Sequence, residues 1–232
     1  MIVASSSVPA LGCDEWPGCT SGKDVFRAFM VEGASFAGAF DFPVLAPVHV
    51  RITRAVSFPE AMSSSADLSD VYVHFYTDDF RFERIWNSPS KYLPRLKTAA
   101  GVIEPDFSTC PNFPEALKVY NGYRNRACAY WLQRNGITVV PNVRCDVESS
   151  VYALAGLPNG STIAIGSHGC IKQVGNRERF KASLKIAVDT LEPSNIIAFG
   201  SDGYDVFEYP RSRGIEVSVI PIERKSCCKE RA

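Results

Sequence analysis

The fold of this chain is decided by the stretch Val71-Tyr-Val-His-Phe-Tyr76 and by the polar residues Thr77-Asp-Asp79 that follow it. The stretch is apolar or aromatic at almost every position, as strands buried within parallel sheets are. The same pattern, a short apolar or β-branched run followed by polar residues, recurs along the chain. Such runs predict seven strands, at residues 39–44, 71–76, 101–105, 138–143, 162–166, 195–200 and 215–220.

Between most of these runs lie stretches with helical spacing. Residues 114–135 are long enough for six helical turns, and Asn135-Gly136 is a typical stop. Residues 177–191 carry apolar side chains at the spacing of one helical face. Strands that alternate with helices predict parallel strands joined by right-handed crossovers. We therefore expect a single α/β domain with a (β/α) barrel-like or partly closed parallel barrel, and an open doubly wound sheet is the alternative.

The composition is that of an ordinary globular protein. The chain has 232 residues, 46% of them hydrophobic and 22% charged, with 25 Lys and Arg against 25 Asp and Glu. We interpret residues 1–35 as an irregular N-terminal extension, 36–222 as the α/β barrel-like domain and 223–232 as a basic C-terminal tail. Zero net charge argues against bulk attraction to nucleic acid, whereas a local basic patch stays open.

The sequence favours a cytoplasmic protein without a membrane partner. Its first residues lack the basic and apolar segments of a secretory signal, and no run approaches the roughly 18 apolar residues that cross a bilayer. Its eight cysteines are expected to be reduced thiols. The alternative is a metal that ties the two termini together through Cys13, Cys19, Cys227 and Cys228.

The candidate site lies at the carboxyl ends of the strands, where ligands of parallel α/β folds bind. Six consecutive predicted strand ends carry polar or ionisable side chains directly after apolar runs, and we expect these side chains to meet. The candidate catalytic residues are Asp106, Asp79, Asp41 and His168. The candidate substrate-binding residues are Asn142, Arg144, Arg124, Ser167, Ser201, Phe107 and Ser108.

Each of the charged candidates also has a structural interpretation. Asp106 would instead cap the next turn by accepting from backbone N–H groups. Asp78 or Asp79 would be the N-cap of a helix over residues 80–86. Arg144 would pair with Asp106 or Asp79, and it could still hold a ligand phosphate or carboxylate. His168 is weighed equally between a structural and a functional role.

Two arginines and an aromatic cluster leave similar alternatives open. Arg124 and Arg126 point about 200° apart on a helix, so one is expected to reach the site and the other to be a solvated surface charge. The aromatic cluster is favoured as core over a base-stacking platform. Its members are Phe75, Tyr76, Phe80, Phe82 and Trp86.

Several catalytic motifs are absent from the sequence. It has no G-x-x-x-x-G-K-[ST], no G-x-G-x-x-G after a strand, no H-E-x-x-H and no G-x-S-x-G. These absences count against nucleoside-triphosphate hydrolysis, dinucleotide-dependent redox chemistry and serine hydrolysis.

Five motifs in combination resemble a family of uncharacterised proteins of phages, plasmids and integrative elements, which is catalogued as a domain of unknown function. The resemblance covers roughly residues 36–220 and implies a phage or mobile-element origin without an established activity. The motifs are the run 74–86, Gly101-Val-Ile-Glu-Pro-Asp-Phe-Ser108, Tyr123-Arg-Asn-Arg126, Pro141-Asn-Val-Arg144 and Ser167-His-Gly-Cys170.

A fainter resemblance concerns chemistry. Ile163-Ala-Ile-Gly166, Ile197-Ala-Phe-Gly-Ser201 and Arg213-Gly-Ile-Glu216 look like the late barrel strands of tRNA-guanine transglycosylases and their phage DNA-modifying relatives. That family exchanges a purine base through aspartates at strand ends, which implies a catalytic role for Asp106. The chain departs from it by having no Asp in residues 215–220 and no C-x-C-x-x-C cluster.

The leading functional hypothesis is an enzyme that acts on a nucleotide or nucleic acid by base or glycosyl transfer. Asp106 would be nucleophile or general base, Asp41 or Asp79 a second acid–base group, and His168 a proton donor or phosphate contact. Asn142 and Arg144 would anchor the substrate.

Two alternatives stay open, and no organic cofactor is expected. One is a non-catalytic phage protein that binds host or replication machinery. The other is a metal-dependent hydrolase with Mg²⁺ or Mn²⁺ held by Asp41, Asp79, Asp106 and His168. The sequence does not indicate an oligomeric state.

Overall fold

The computed structural model describes residue 24 and residues 27–144 and 146–222. The C-terminal tail, and the metal considered for Cys13, Cys19, Cys227 and Cys228, lie outside the described residues.

Nine strands and eight helices make up the regular structure of these residues. The strands are β1 Phe36–Ala37, β2 Phe42–Pro43, β3 Ala55–Ser57, β4 Tyr72–His74, β5 Gly101–Ile103, β6 Val139–Val140, β7 Thr162–Gly166, β8 Asn195–Phe199 and β9 Glu216–Ile220. The helices are α1 Phe58–Ser63, α2 Asp79–Phe82, α3 Arg84–Asn87, α4 Pro89–Leu96, α5 Glu115–Arg134, α6 Ser150–Ala153, α7 Val174–Leu191 and α8 Glu208–Ser212. Two short 3-10 turns lie at Ala28–Val31 and Gly203–Asp205.

Seven of the strands run parallel and follow one another in chain order. β3 to β6 form one four-stranded sheet, and β7 to β9 form a three-stranded sheet. A parallel bridge between Asn142 and Ala164 joins the two. It is supported by backbone bonds of 2.8 Å from Val143 N to Ala164 O and from Ala164 N to Pro141 O. The prediction of a mixed α/β fold with parallel strands is therefore confirmed.

This continuous run of strands is strongly curved. The ring of Tyr76, just after β4, lies 4.7 Å from the ring of Phe199 in β8, and the His74 ring lies 5.3 Å from Phe199. Four strand spacings separate β4 from β8, which is about 19 Å in a flat sheet. The rings meet because the sheet bends around them, and they fill its concave face with Ile103 and Ile197.

The curved sheet does not close into a barrel. Within the described parts of the chain, no strand pairing joins β3 to β9, and neither sheet is closed. The coarser prediction of a single α/β domain is confirmed, and the fully closed form of the predicted barrel is not shown.

The helices cover the convex face of the sheet. Leu184, Ala187, Val188 and Leu191 of α7 are buried in the main core, as their spacing predicts. Helix α5 ends at Arg134, and Gly136 after it has a φ of 82°, as expected for a glycine stop. No helix in the described ranges is long and apolar enough to span a bilayer.

The start of the predicted sheet is wrong. Residues 39–44 do not form its first strand, because β1 and β2 pair as a short antiparallel hairpin. The first strand of the sheet is instead β3, at residues that were not predicted to form a strand. It runs into α1, which begins with a capping box between Ser57 and Glu60.

We expect Phe199→Ala to unfold the protein at much lower urea than the native chain. Phe199 is fully buried against Tyr76 and His74, and deletion of such a ring costs about 3–5 kcal/mol. Phe80→Ala, at a residue that is 76% exposed, is the control and should change stability by less than about 0.5 kcal/mol. Equal losses in the two variants would show that the curvature does not depend on Phe199.

Candidate active site

A large cleft opens at the carboxyl ends of the central strands. It encloses about 2450 Å³ and reaches the edge strands β3 and β9, which both contribute lining residues. Tyr76, Asp79, Asp106, Arg144 and His168 all line it. The structure thus places five of the predicted site residues on the cleft, which are Asp79, Asp106, Ser108, Arg144 and His168.

Asp106 lies on the wall of this cleft between two donors. Its Oδ1 accepts from Asn142 Nδ2 at 2.8 Å, and its Oδ2 pairs with Arg144 Nη1. The Asp106 side chain is 11% exposed and the Arg144 side chain 36%. Burial raises the pKa of Asp106, whereas Arg144 and Asn142 act in the opposite direction. Both donors are side chains, so the geometry differs from that of a backbone turn cap.

Asn142 connects Asp106 to the rest of the site. Its Oδ1 accepts from the Tyr76 hydroxyl at 2.8 Å, and its backbone N donates to Glu104 Oε2 at 2.8 Å. Burial and the negative charge of Asp106 raise the pKa of Tyr76 well above its usual value. The amide thus orients both Asp106 and the neutral Tyr76 hydroxyl.

A second buried ion pair lies behind the site and was missed by the sequence analysis. Glu104 pairs with Arg126 of α5, and both side chains are at most 4% exposed. Arg126 also donates to the carbonyls of Ala153 and Ala155 at 3.1 and 3.2 Å. The expectation that Arg124 or Arg126 is a solvated charge is wrong. The sequence signal that could have revealed this pair is Glu104, a charged residue within the apolar run 101–105.

Asp79 holds two segments together. Its Oδ1 accepts from Ser108 Oγ at 2.9 Å and its Oδ2 from Ser108 N at 3.0 Å. Asn121 Nδ2 donates to Ser108 O at 2.6 Å. The start of α2 is thereby fixed to the loop after β5, and we call this contact the Asp79–Ser108 clamp. Asp78 occupies the N-cap position of α2 without a side-chain cap bond.

Phe107 and Arg124 support the loop from behind instead of lining the cleft. Phe107 is fully buried, and the Arg124 guanidinium lies 3.8 Å from the centre of its ring. Arg124 Nη2 donates to Asn121 Oδ1 at 2.7 Å, and Nη1 lies 3.8 Å from Glu83 Oε1. Both were predicted to bind substrate, and neither is among the residues that line the cleft.

The two predicted serines join the ends of β7 and β8. Buried Ser167 donates through Oγ to Ser201 O at 2.7 Å, and Ser201 N donates back to Ser167 Oγ at 2.9 Å. Neither serine lines the cleft. His168, the residue after Ser167, is exposed and does line it.

Asp41 lies apart from the other candidates. It is exposed in the turn of the β1–β2 hairpin with a φ of 51°, and it is not among the residues that line the cleft. The sequence placed it at a strand end because residues 39–44 resemble a strand of the sheet.

His74 is a further cleft residue that the list of candidates missed. It is 7% exposed, and its Nδ1 accepts from Tyr76 N at 3.2 Å, which places the ring proton on Nε2. Burial lowers the pKa of His74 to about 4, although Glu60 acts in the opposite direction. His74 is thus a neutral donor, and its position inside an apolar strand hid it from the sequence analysis.

The described residues contain no group of three His, Cys, Asp or Glu side chains placed to hold a metal ion. Of the residues suggested as metal ligands of a hydrolase, Asp41 lies away from the cleft. The carboxylate oxygens of Asp79 and Asp106 already accept hydrogen bonds. Cys110 and Cys170 are free thiols on the cleft, and Cys128 is a free thiol in the core.

The aromatic cluster is divided between core and cleft. Phe75, Phe82 and Trp86 are buried in the main core, as expected. Phe80 is 76% exposed and lines the cleft, so its assignment to the core is wrong.

We expect Arg126→Met to destabilise the fold by about 3–5 kcal/mol at neutral pH, because it leaves Glu104 buried without its counter-charge. Burial raises the pKa of Glu104, so the loss should shrink as the pH falls toward 4.5 and the carboxyl group takes up a proton. Urea denaturation across pH measures both effects. Glu104→Gln/Arg126→Met keeps an acceptor for Asn142 N and should recover part of the loss. A double variant no more stable than the single one would contradict this account.

The depressed pKa of His74 predicts a second pH dependence. Between its ordinary value of 6.5 and the native value of about 4, the unfolded chain binds a proton that the native protein does not. Stability should therefore fall by up to about 3 kcal/mol as the pH is lowered through this window. His74→Phe keeps a ring against Phe199 and should remove this component, whereas His168→Phe, at an exposed position, should retain it. An unchanged pH dependence in His74→Phe would refute the assignment.

Comparisons with known proteins place the chain among phage sequences. A model of the family described as "Domain of unknown function (DUF4417)" matches residues 34–212. The chain is 37% identical over 147 residues to Gene 1 protein of Mycobacterium phage L5, which covers 60% of this chain and 64% of that protein. It is 33% identical over 184 residues to Gene 1 protein of Mycobacterium phage D29, which covers 75% of this chain and 68% of that protein.

The chain thus spans about two thirds of the length of these two relatives. No solved structure matches it. The predicted resemblance to an uncharacterised phage family is confirmed, whereas these matches do not support the fainter resemblance to tRNA-guanine transglycosylases. Because the family model covers more than half of its residues, the chain belongs to the family described as Domain of unknown function (DUF4417).

Proposed function

We propose that this protein is a phage enzyme that acts on a nucleotide or nucleic acid, with Asp106 as its reactive carboxylate. The reaction class that we favour is transfer of a base or a glycosyl group. The relatives carry the name "Gene 1 protein", which states no activity, so the proposal depends on the cleft.

The observation that carries the proposal is the setting of Asp106. A carboxylate with a raised pKa lies on the wall of a cleft at the ends of parallel strands, where α/β enzymes hold their reactive groups. Asn142 and Arg144 fix its orientation. Arg144 is partly exposed, so it is placed to exchange Asp106 for an anionic group of a ligand.

Glycosyl transfer suits one oriented carboxylate. An Asp106 oxygen would form a bond to the anomeric carbon while the bond from that carbon to the base breaks. The leaving base would take the bonding electrons and a proton, for which His168 on the same cleft is the candidate donor. An incoming base or water would then displace Asp106 from the sugar.

The size of the cleft favours a large substrate. Sites for small molecules usually enclose about 300–1000 Å³. A cleft of about 2450 Å³ exceeds that range and suits a nucleotide within a longer strand.

A second candidate is a non-catalytic phage protein that binds host or replication machinery. Both Asp106 oxygens accept hydrogen bonds from side chains of the protein itself. A purely structural ion pair would show the same arrangement, and this favours the non-catalytic candidate. The effect of Asp106 on chemistry separates the two.

We expect expression of the native chain to change the nucleosides of cellular DNA or RNA, measured by mass spectrometry, and Asp106→Asn to abolish the change. The amide keeps the shape of the side chain, and the partly exposed Arg144 can hydrate, so the melting temperature should shift by less than about 4 °C. Asp41→Asn, outside the cleft, is the matched control and should keep the change. Unaltered nucleosides with the native chain, or an active Asp106→Asn, would favour the non-catalytic candidate.

A further inference from the structure

We propose that the cleft binds single-stranded nucleic acid, with an unpaired base stacked on Phe80 and a neighbouring phosphate on Arg81. This inference narrows the substrate class of the proposed function, and it rests on that function for the role of the cleft.

Phe80 is the first observation. This residue is 76% exposed at the wall of the cleft, whereas Phe82, two residues later, is fully buried. Burial of a phenylalanine side chain stabilises a protein by about 1.5–3 kcal/mol. Phe80 does not gain this stabilisation, although Phe82 is buried in the main core only two residues later.

The position of Phe80 is fixed before any ligand arrives. It follows Asp79 in α2, and the Asp79–Ser108 clamp holds this helix to the loop after β5 by two hydrogen bonds of 2.9 and 3.0 Å. A ring on an anchored helix loses little conformational freedom when a base stacks on it. Stacking of a base on an aromatic ring contributes about 1–3 kcal/mol and tolerates any base.

Two arginines on the cleft are available for phosphate contacts. Arg54 and Arg144 line the cleft but are paired with Asp70 and Asp106. Arg81 and Arg179 also line it, and neither has a carboxylate partner within the described ranges.

Carboxylates also line the cleft, so its lining as a whole is not positive; they belong to Glu60, Asp78, Asp79, Asp106 and Asp146. Asp79 already accepts hydrogen bonds from Ser108, and Asp106 pairs with Arg144. Phosphate contacts therefore depend on Arg81 and Arg179 individually, and not on the overall charge of the cleft. The zero net charge of the chain fits local contacts of this kind better than bulk attraction.

The strand must be single because of the stacking geometry. In a duplex both faces of an internal base are covered by its neighbours, so an aromatic ring on the protein reaches a base face only after the base has left the stack. A single strand presents such faces without that cost, and the proposal therefore ranks single strands above duplexes of the same sequence.

Fluorescence anisotropy with labelled oligonucleotides of about 12 nucleotides tests the proposal. The native chain should bind single-stranded DNA or RNA more tightly than the matching duplex. Phe80→Ala should weaken single-strand binding by roughly 5- to 150-fold, while Phe80→Trp should retain it. Arg81→Gln should weaken binding and reduce the slope of log K against log salt by about 0.7, as expected for loss of one phosphate contact.

Phe40→Ala is the matched control, because Phe40 is another exposed phenylalanine and lies outside the cleft. It should bind as the native chain does. Equal binding by Phe80→Ala and Phe40→Ala, or no preference for single strands, would overturn the inference. Loss of a co-purifying protein from Phe80→Ala with unchanged oligonucleotide binding would also overturn it and identify a protein-docking surface.

Asp106→Asn separates this inference from the proposed function. It should bind oligonucleotides at least as tightly as the native chain, because Arg144 loses its counter-charge, while it loses the nucleoside change. Nucleoside chemistry that depends on Asp106 without single-strand preference would reject the inference alone. Single-strand binding that depends on Phe80 without any Asp106-dependent chemistry would reject the enzymatic function alone.

Discussion

The packing of Phe199 against Tyr76 and His74 is the contact on which the rest of the structure depends. It joins strands that are four places apart, so it holds the sheet in its curved form. Curvature turns the carboxyl ends of β4, β5 and β7 toward one cleft. Without it, Tyr76, Asp106 and His168 would be spread along a straight edge, and no common site would exist.

Two carboxylates close together in the chain differ in how far burial separates them from the cleft. Glu104 is 1% exposed and its partner Arg126 4%, so both charges are sealed from water and ligand. Asp106 is 11% exposed and Arg144 36%, so this pair can open toward the cleft. Asn142 touches both carboxylates, through its backbone N and its side-chain amide. The buried Glu104 therefore holds the backbone of Asn142, and the side-chain amide of Asn142 orients Asp106.

The sequence predicted the parts of the fold that depend on local pattern. The central strands, α5, α7 and the meeting of Asp106, Asn142 and Arg144 follow from apolar runs and strand ends. The hairpin at Asp41 could not be predicted, because an apolar run does not reveal whether its partner is parallel or antiparallel. The Glu104–Arg126 ion pair and the exposure of Phe80 depend on which helix packs over which strand. Helix–strand packing is set by tertiary contacts, which a local sequence pattern does not reveal.

The missing pairing between β3 and β9 has a mechanical consequence. In a closed barrel the radius is set by the number of strands and their stagger, so it cannot change without breaking hydrogen bonds. Near the amino ends of the strands the segment before β3 is held to β7, where Thr162 N donates to Val48 O at 2.7 Å. At its carboxyl end, a curved sheet whose two edge strands are not paired with each other lacks the constraint of a barrel. Its bend can widen or tighten slightly at every strand while all ladder bonds stay intact. The width of the cleft beside Asp106 can therefore change without loss of strand pairing.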